Sequence, residues 1–132
     1  MNKRIIITSG ILGTLAIILG AFGAHALKKV LSVEELNSFE VGVRYQFYHT
    51  LFLLFIANTS KISVSYKKYI SLFITLGVIL FSGSIYLLAT QSLSGINFKF
   101  LGPITPIGGL MLIVGWILLI VGICKGNDNY EN

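Results

Sequence analysis

Charge is scarce in this sequence. Only 11% of its 132 residues are charged, against roughly 25% in ordinary soluble domains, so a soluble globular class is excluded. The 55% of hydrophobic residues and a mean hydropathy of +0.84 make a bilayer the natural solvent. Cysteine occurs once, which excludes an intrachain disulfide. Cys124 reads as a small apolar residue, with a reactive thiol as the alternative. Alternation is missing as well. The apolar runs are too long and unbroken for barrel strands, and open sheet edges are not tolerated in lipid, so helices are expected.

Crossing a hydrocarbon core of roughly 30 Å takes about 20 apolar residues, and four stretches qualify. They run over about 5–27, 41–59, 69–90 and 101–124. The expected fold is an all-α membrane protein, a four-transmembrane-helix bundle occupying residues 1–132 as one integral membrane domain. The second stretch is the weakest, because Arg44 and His49 interrupt it before the apolar run from Leu51 to Ala57. Lys3 and Arg4 ahead of the first run resemble a secretory signal, and Ala24-His25-Ala26 resembles its cleavage site. That run exceeds the roughly 7–15 residues of a signal core, so a retained helix is expected.

The net charge of +5 does not point to nucleic acid, because the basic residues sit at helix ends rather than in a stripe. They report orientation instead. Lys3, Arg4, Lys61, Lys67, Lys68 and Lys125 fall on one side, and Lys28, Lys29 and Lys99 on the other, joined by Arg44 at the boundary. The positive-inside rule then places both termini and the middle loop in the cytoplasm of a bacterium, with the chain multi-pass in its plasma (inner) membrane.

Between the first two spans lies an amphipathic segment. Ser32 followed by Glu35 fits a capping box, and Leu36, Phe39, Val43 and Phe47 recur at helical steps. A short helix at the outer interface, bending near Gly42 into the second span, is expected. Small residues set the packing. Gly13, Ala16, Gly20 and Gly23 share a face of the first span, and Gly108, Gly115 and Gly122 recur every seven residues in the fourth, a period that favours a small-angle left-handed crossing.

The unusual polar residues gather at one depth. At a rise of about 1.5 Å per residue, His49, Arg44, Ser82, Ser84, Tyr86 and Thr105 lie roughly 18–25 Å from the cytoplasmic ends, with His25 and Glu40 slightly farther. Ionisable groups in a bilayer face the protein interior or a polar cavity. Glu40, Arg44 and Tyr48 are spaced four apart, as are Tyr45 and His49. The candidate binding cluster is therefore His25, Glu40, Arg44, Tyr45, His49, Ser82, Ser84 and Thr105. The competing reading is structural: the long side chains snorkel and brace the outer end. Two histidines without a carboxylate or thiol cluster match no standard metal or haem site, so no metal, cofactor or catalytic residue is assigned. Ser82-Gly83-Ser84 lacks the context of a hydrolase nucleophile and reads as a packing motif. Two prolines in the segment 102–109 predict a delayed helix start at membrane depth, beside a small cavity.

The motifs Gly20-Ala21-Phe22-Gly23-Ala24-His25-Ala26-Leu27, Tyr45 with His49, Phe81-Ser82-Gly83-Ser84-Ile85-Tyr86 and Gly102-Pro103-Ile104-Thr105-Pro106-Ile107-Gly108-Gly109 stand in an order that resembles the domain of unknown function 423 family. Its eukaryotic relatives are called transmembrane protein 256. The resemblance covers the chain from the first span to about Gly122. It implies four transmembrane helices in a bacterial inner membrane and brings no reaction, substrate or cofactor with it.

Three functional classes remain open at this point. The favoured expectation is a non-enzymatic membrane component that binds a small molecule, a lipid or a partner protein through the outer polar cluster. The alternatives are a small transporter, with His49 or Glu40 coupling protons, and a membrane enzyme built on Glu40, Arg44, Tyr45 and His49. The expected partners are the lipid bilayer, such a ligand and further copies of the chain, with no nucleic acid.

Overall fold

The computed structural model of the protein describes residues 2–126, and the chain there is all helix and turn. Five α-helices follow one another: α1 (Asn2–His25), α2 (Val33–Asn58), α3 (Val64–Ala89), the short α4 (Gln91–Ser94) and α5 (Ile104–Gly126). Single 3-10 turns over Leu27–Lys29 and Lys99–Leu101 complete the connections. The segments Asn2–Lys29, Val64–Ala89 and Lys99–Gly126 are long and apolar enough to cross a membrane.

Among the described residues every buried side-chain polar atom has a hydrogen-bond partner, as lipid requires. In α1 the hydroxyls of Thr8, Ser9 and Thr14 donate to the carbonyls of Arg4, Ile5 and Gly10 at 2.7–2.9 Å, so none is left facing hydrocarbon alone. Ser32 and Glu35 form the expected capping box: the Glu35 N–H donates to Ser32 Oγ, and the Ser32 N–H to Glu35 Oε1, both at 3.1 Å. Ser63 caps α3 with a single bond, its Oγ accepting from the Tyr66 N–H at 3.4 Å. At the far end of α2 the buried Lys67 ammonium donates to the Ala57 carbonyl at 3.3 Å and to Asn2 Oδ1 at 3.2 Å. A cation there complements the negative end of the α2 dipole and ties α1, α2 and α3 together.

The helix that begins at Ser32 does not stop at the interface. It runs through Gly42 without interruption to Asn58, so the amphipathic segment and the second apolar stretch are one element. Gly42 serves close approach, because a Cβ there would fall 2.8 Å from the Tyr86 ring. The delayed start expected near the two prolines is present. Gly102 and Pro103 lie outside the helix, and Pro106 sits in the first turn of α5, where a missing N–H leaves no intrahelical bond unmade.

The helices pack in chain order, α1 on α2, α2 on α3 and α3 on α5. Glycine makes each contact tight. Gly13, Gly20 and Gly23 of α1 meet Thr50, Val43 and Phe39 of α2, an antiparallel match. Gly108, Gly115 and Gly122 of α5 meet the Leu80–Phe81 backbone, Ile74 and Tyr66 of α3, also antiparallel. Two apolar clusters result. One is centred on Leu53, Ile56, Ile70 and Ile74, and the other on Leu27, Leu31, Phe39 and Ala89.

These contacts rank the glycines. Gly108→Ala places its methyl against the α3 backbone, which cannot yield, and a loss of about 1–3 kcal/mol is expected from overpacking. Gly115→Ala meets only the flexible end of Ile74 and should lose less. Gly83 faces open space, so Gly83→Ala should be neutral or gain up to about 1 kcal/mol of helix propensity. Reversible unfolding in detergent measures the three, and a Gly83 variant as damaging as the Gly108 variant would contradict this packing.

A pH dependence follows at the other end of α2. The Ser92 hydroxyl, donating at 2.7 Å, and then the Ser32 groups hold the Glu35 carboxyl below the usual carboxylate range. A lowered folded-state value stabilises above the unfolded value and is lost as pH falls through the lowered one. Amide exchange in the first turn of α2, corrected for intrinsic rate, should therefore accelerate under acid. In Glu35→Gln that acid response should vanish.

Candidate functional site

Between the two apolar clusters lies a layer of buried polar side chains. Its centre is Gln46, 4% exposed, which was not singled out by the sequence reading. Its Nε2 donates to the Leu12 carbonyl of α1 at 2.8 Å, and its Oε1 accepts from the Tyr86 hydroxyl of α3 at 2.6 Å. One amide thus joins three helices. Thr50, one turn on, returns its hydroxyl to the Gln46 carbonyl at 2.8 Å.

The serines of Ser82-Gly83-Ser84 point to opposite neighbours. Ser82 Oγ donates to the Gly42 carbonyl of α2 at 2.7 Å. Ser84 Oγ lies 2.5 Å from Thr105 Oγ1 at the start of α5 and 3.0 Å from the Phe81 carbonyl. The motif is a fastener between helices, made by its hydroxyls rather than by its glycine.

His49 is buried, and both ring nitrogens are engaged. Nδ1 lies 2.7 Å from the Tyr45 carbonyl, and Nε2 lies 3.0 Å from Trp116 Nε1. An indole N–H only donates and a carbonyl only accepts, so the arrangement fixes the neutral imidazole with its proton on Nδ1. Trp116 reaches His49 from α5, and its ring also packs on Phe52 at a centroid distance of 4.2 Å.

Beside this pair the helices leave a lateral groove of about 590 Å³. Tyr45 and His49 of α2 form one wall, Phe81 of α3 lies at the back, and Pro106, Gly109 and Trp116 of α5 form the other wall. Gly109 opens it, because a Cβ there would stand 3.7 Å from the Phe81 ring without displacing it. Tyr45 is exposed, and its ring stacks near His49 and tilts against Phe81, with centroids 6.3 and 5.1 Å away.

Of the eight residues expected from sequence, five are drawn into this construction: Tyr45 and His49 at the groove, Ser82, Ser84 and Thr105 at the helix contacts beside it. His25 and Arg44 are exposed and Glu40 is half-buried, on another face of the helices. The residues outside the expected cluster, Gln46, Tyr86 and Trp116, are neutral, and of these the sequence places Tyr86 at the same depth. Gln46 carried one usable signal, its place four residues from both Gly42 and Thr50 on the inward strip of α2. Among the described residues no three histidine, cysteine, aspartate or glutamate side chains gather as metal ligands.

The sequence profile of a family described as protein of unknown function (DUF423) matches residues 19–109. A membrane protein of Staphylococcus saprophyticus, UPF0382 membrane protein SSP2132, is 39% identical over 126 residues, covering 93% of this chain and 98% of the relative. The UPF0382 inner membrane protein YgdD of Escherichia coli K12 is 39% identical over 125 residues, covering 94% of this chain and 92% of the relative. No solved structure matches the chain.

Replacing Gln46 tests the polar layer. Gln46→Ala leaves the hydroxyl of the half-buried Tyr86 without its acceptor, and a loss of about 1–3 kcal/mol is expected. Adding Tyr86→Phe removes the orphaned group and should recover part of that loss. Unfolding of all four members of this double-mutant cycle in detergent reads the coupling, and strictly additive losses would contradict the bridge.

Proposed function

This chain belongs to the DUF423 family, and from that premise we propose that it is a four-span, multi-pass membrane protein that holds one neutral, lipid-soluble molecule in the groove between α2, α3 and α5. The observation that carries the proposal is the groove itself, about 590 Å³ of mostly apolar space with one polar edge at Tyr45 and His49. That volume falls within the roughly 300–1,000 Å³ of small-molecule sites, whose usual lining is apolar with few polar groups.

The groove reaches the protein surface among exposed Leu110, Ile113 and Trp116, side chains suited to lipid, so its occupant enters from the hydrocarbon. A neutral occupant fits because the lining includes no lysine, arginine, aspartate or glutamate, and an ion would leave water without a counter-charge. His49 has both nitrogens committed, so it shapes the wall and orients Trp116. This favours binding over the transporter reading, since a proton carrier at His49 would first have to surrender the Trp116 bond. The enzyme reading gains nothing from a group whose Glu40 and Arg44 lie off the groove.

The four-span topology rests on α2. It is 26 residues long, about 39 Å at helical rise, and packs antiparallel between two helices that are each long and apolar enough to cross. Its charged residues Glu34, Glu35, Glu40 and Arg44 all lie in its first half, within snorkelling reach of the interface. The basic residues at the opposite end of the bundle set both termini on the cytoplasmic side.

Native mass spectrometry from mild detergent tests the binding. Wild type should carry one reproducible neutral mass. Gly109→Leu fills the groove from a position with room for a side chain, and should lose that mass while melting at a similar temperature. A bare wild-type protein, or a mass that persists in the Gly109 variant, would refute the site.

A further inference from the structure

A second recess lies at the other end of the bundle and differs in chemistry. The end that carries the N-terminus gathers Lys3, Arg4, Lys61, Lys67, Lys68 and Lys125. Among the described residues the acidic side chains, Glu34, Glu35 and Glu40, all lie in the first half of α2 at the opposite end. Asp128 and Glu131 fall outside the described residues.

Lys67 is spent internally on Ala57 and Asn2. Arg4 and Lys68 are exposed, and they stand at the rim of a cleft of about 300 Å³ between the first turns of α1 and α3. Below them the floor is Ile5, Leu53 and Leu72. Thr8 and Ser71 also line it, but each donates its proton to a backbone carbonyl, of Arg4 at 2.9 Å and of Lys68 at 3.0 Å. The charged donors left for a ligand are the guanidinium and the ammonium, and the Thr75 hydroxyl lies farther along the lining. The lining runs from residue 68 to residue 75 along α3, about 10 Å of helix, from the charged rim to a stretch whose polar group is the neutral Thr75 hydroxyl.

We propose that this cleft holds an anionic phospholipid, its phosphate between Arg4 and Lys68 and the upper part of one acyl chain along Ile5, Leu53 and Leu72. Two cations with no acidic neighbour among the described residues complement a net negative head and repel the ammonium of a zwitterionic one. Guanidinium and ammonium are both suited to phosphate oxygens. The apolar floor gives free phosphate nothing, whereas a lipid supplies head and chain together at the depth where the cleft lies. Basic recesses between membrane helices on the cytoplasmic side recognise acidic headgroups on this principle. The cleft shares no lining residue with the groove near His49, so the two proposals stand or fall separately.

The test is native mass spectrometry of the full chain in detergent micelles doped equally with phosphatidylglycerol and phosphatidylethanolamine. At low salt the two basic contacts should give roughly a tenfold preference for phosphatidylglycerol, with one lipid retained, and the preference should shrink as salt screens the rim. Arg4→Gln with Lys68→Gln should reduce it to about twofold or less, and Gly109→Leu should leave it unchanged. Lys68→Gln alone, which keeps the N-terminal charges that set topology, should lie between if the double variant fails to fold. Equal retention of the two lipids by wild type, or an unchanged preference in the folded charge variants, would overturn the proposal.

Discussion

A bilayer core offers no water to a polar group, and the placement of the Gln46 amide answers that constraint for three helices at once. An amide has two donors and two acceptor lone pairs, enough to serve a backbone carbonyl on one side and a phenol on the other. Gln46 does both, with Leu12 of α1 and Tyr86 of α3. Single interhelical hydrogen bonds in membranes average only about 0.6 kcal/mol, so the layer acts less through strength than through uniqueness. A slip of α2 by one turn would break the bonds of Gln46, Ser82 and His49 together. Apolar clusters above and below tolerate many registers, and the polar layer selects one.

Close packing makes that layer reachable. Hydrocarbon does not push helices together, so the distance between them is set by what lies at their contacts. Gly42 lets the Tyr86 ring lie against α2, and Gly108 lets α5 come to rest on the backbone at Leu80 and Phe81. Each glycine sits within a turn or so of a hydroxyl contact, Ser82 on the Gly42 carbonyl and Ser84 on Thr105. Helix α3 is accordingly the hub, bonded to α2 by one serine and to α5 by the other.

The long uncharged runs of α1, α3 and α5 were legible because twenty apolar residues have few other uses. The capping box at Ser32 and the delayed start of α5 at Ile104 were also legible, since caps and prolines act locally. Helix α2 was harder. Its charges suggested an interfacial helix bending near Gly42 into the second span, and the structure has one helix through both, with Arg44 exposed and Gly42, Gln46, His49 and Leu53 buried. Arg44 drew attention by its cost in lipid, yet it is two residues from Gln46, about 200° around the helix, and looks away from the layer. Trp116 reads in sequence as one more apolar residue of α5. Only the fold brings its N–H to His49, 67 residues away. Charge is visible in a sequence, and hydrogen-bonding reach between helices is not.

The order of packing also explains where the openings fall. Because α1, α2, α3 and α5 contact one another in series, α1 and α3 approach at their first turns with α2 behind them, and α2 and α5 approach across α3. Each such diagonal leaves a recess opening to the side: the cleft at Arg4 and Lys68, and the groove at Tyr45 and Trp116. A side opening selects solutes that already reside in the membrane, and the lining sorts them further. The cleft lies at the basic end of the bundle and presents cations. The groove sits among hydrocarbon-facing side chains and presents aromatic rings beside a histidine whose hydrogen bonds are complete. A fold that keeps Arg4 and Lys68 at a rim, Lys67 and His49 inside with their hydrogen bonds made, and its neutral amide and hydroxyls between the helices would, on the two proposals above, sort lipids by head and by body at two separate depths.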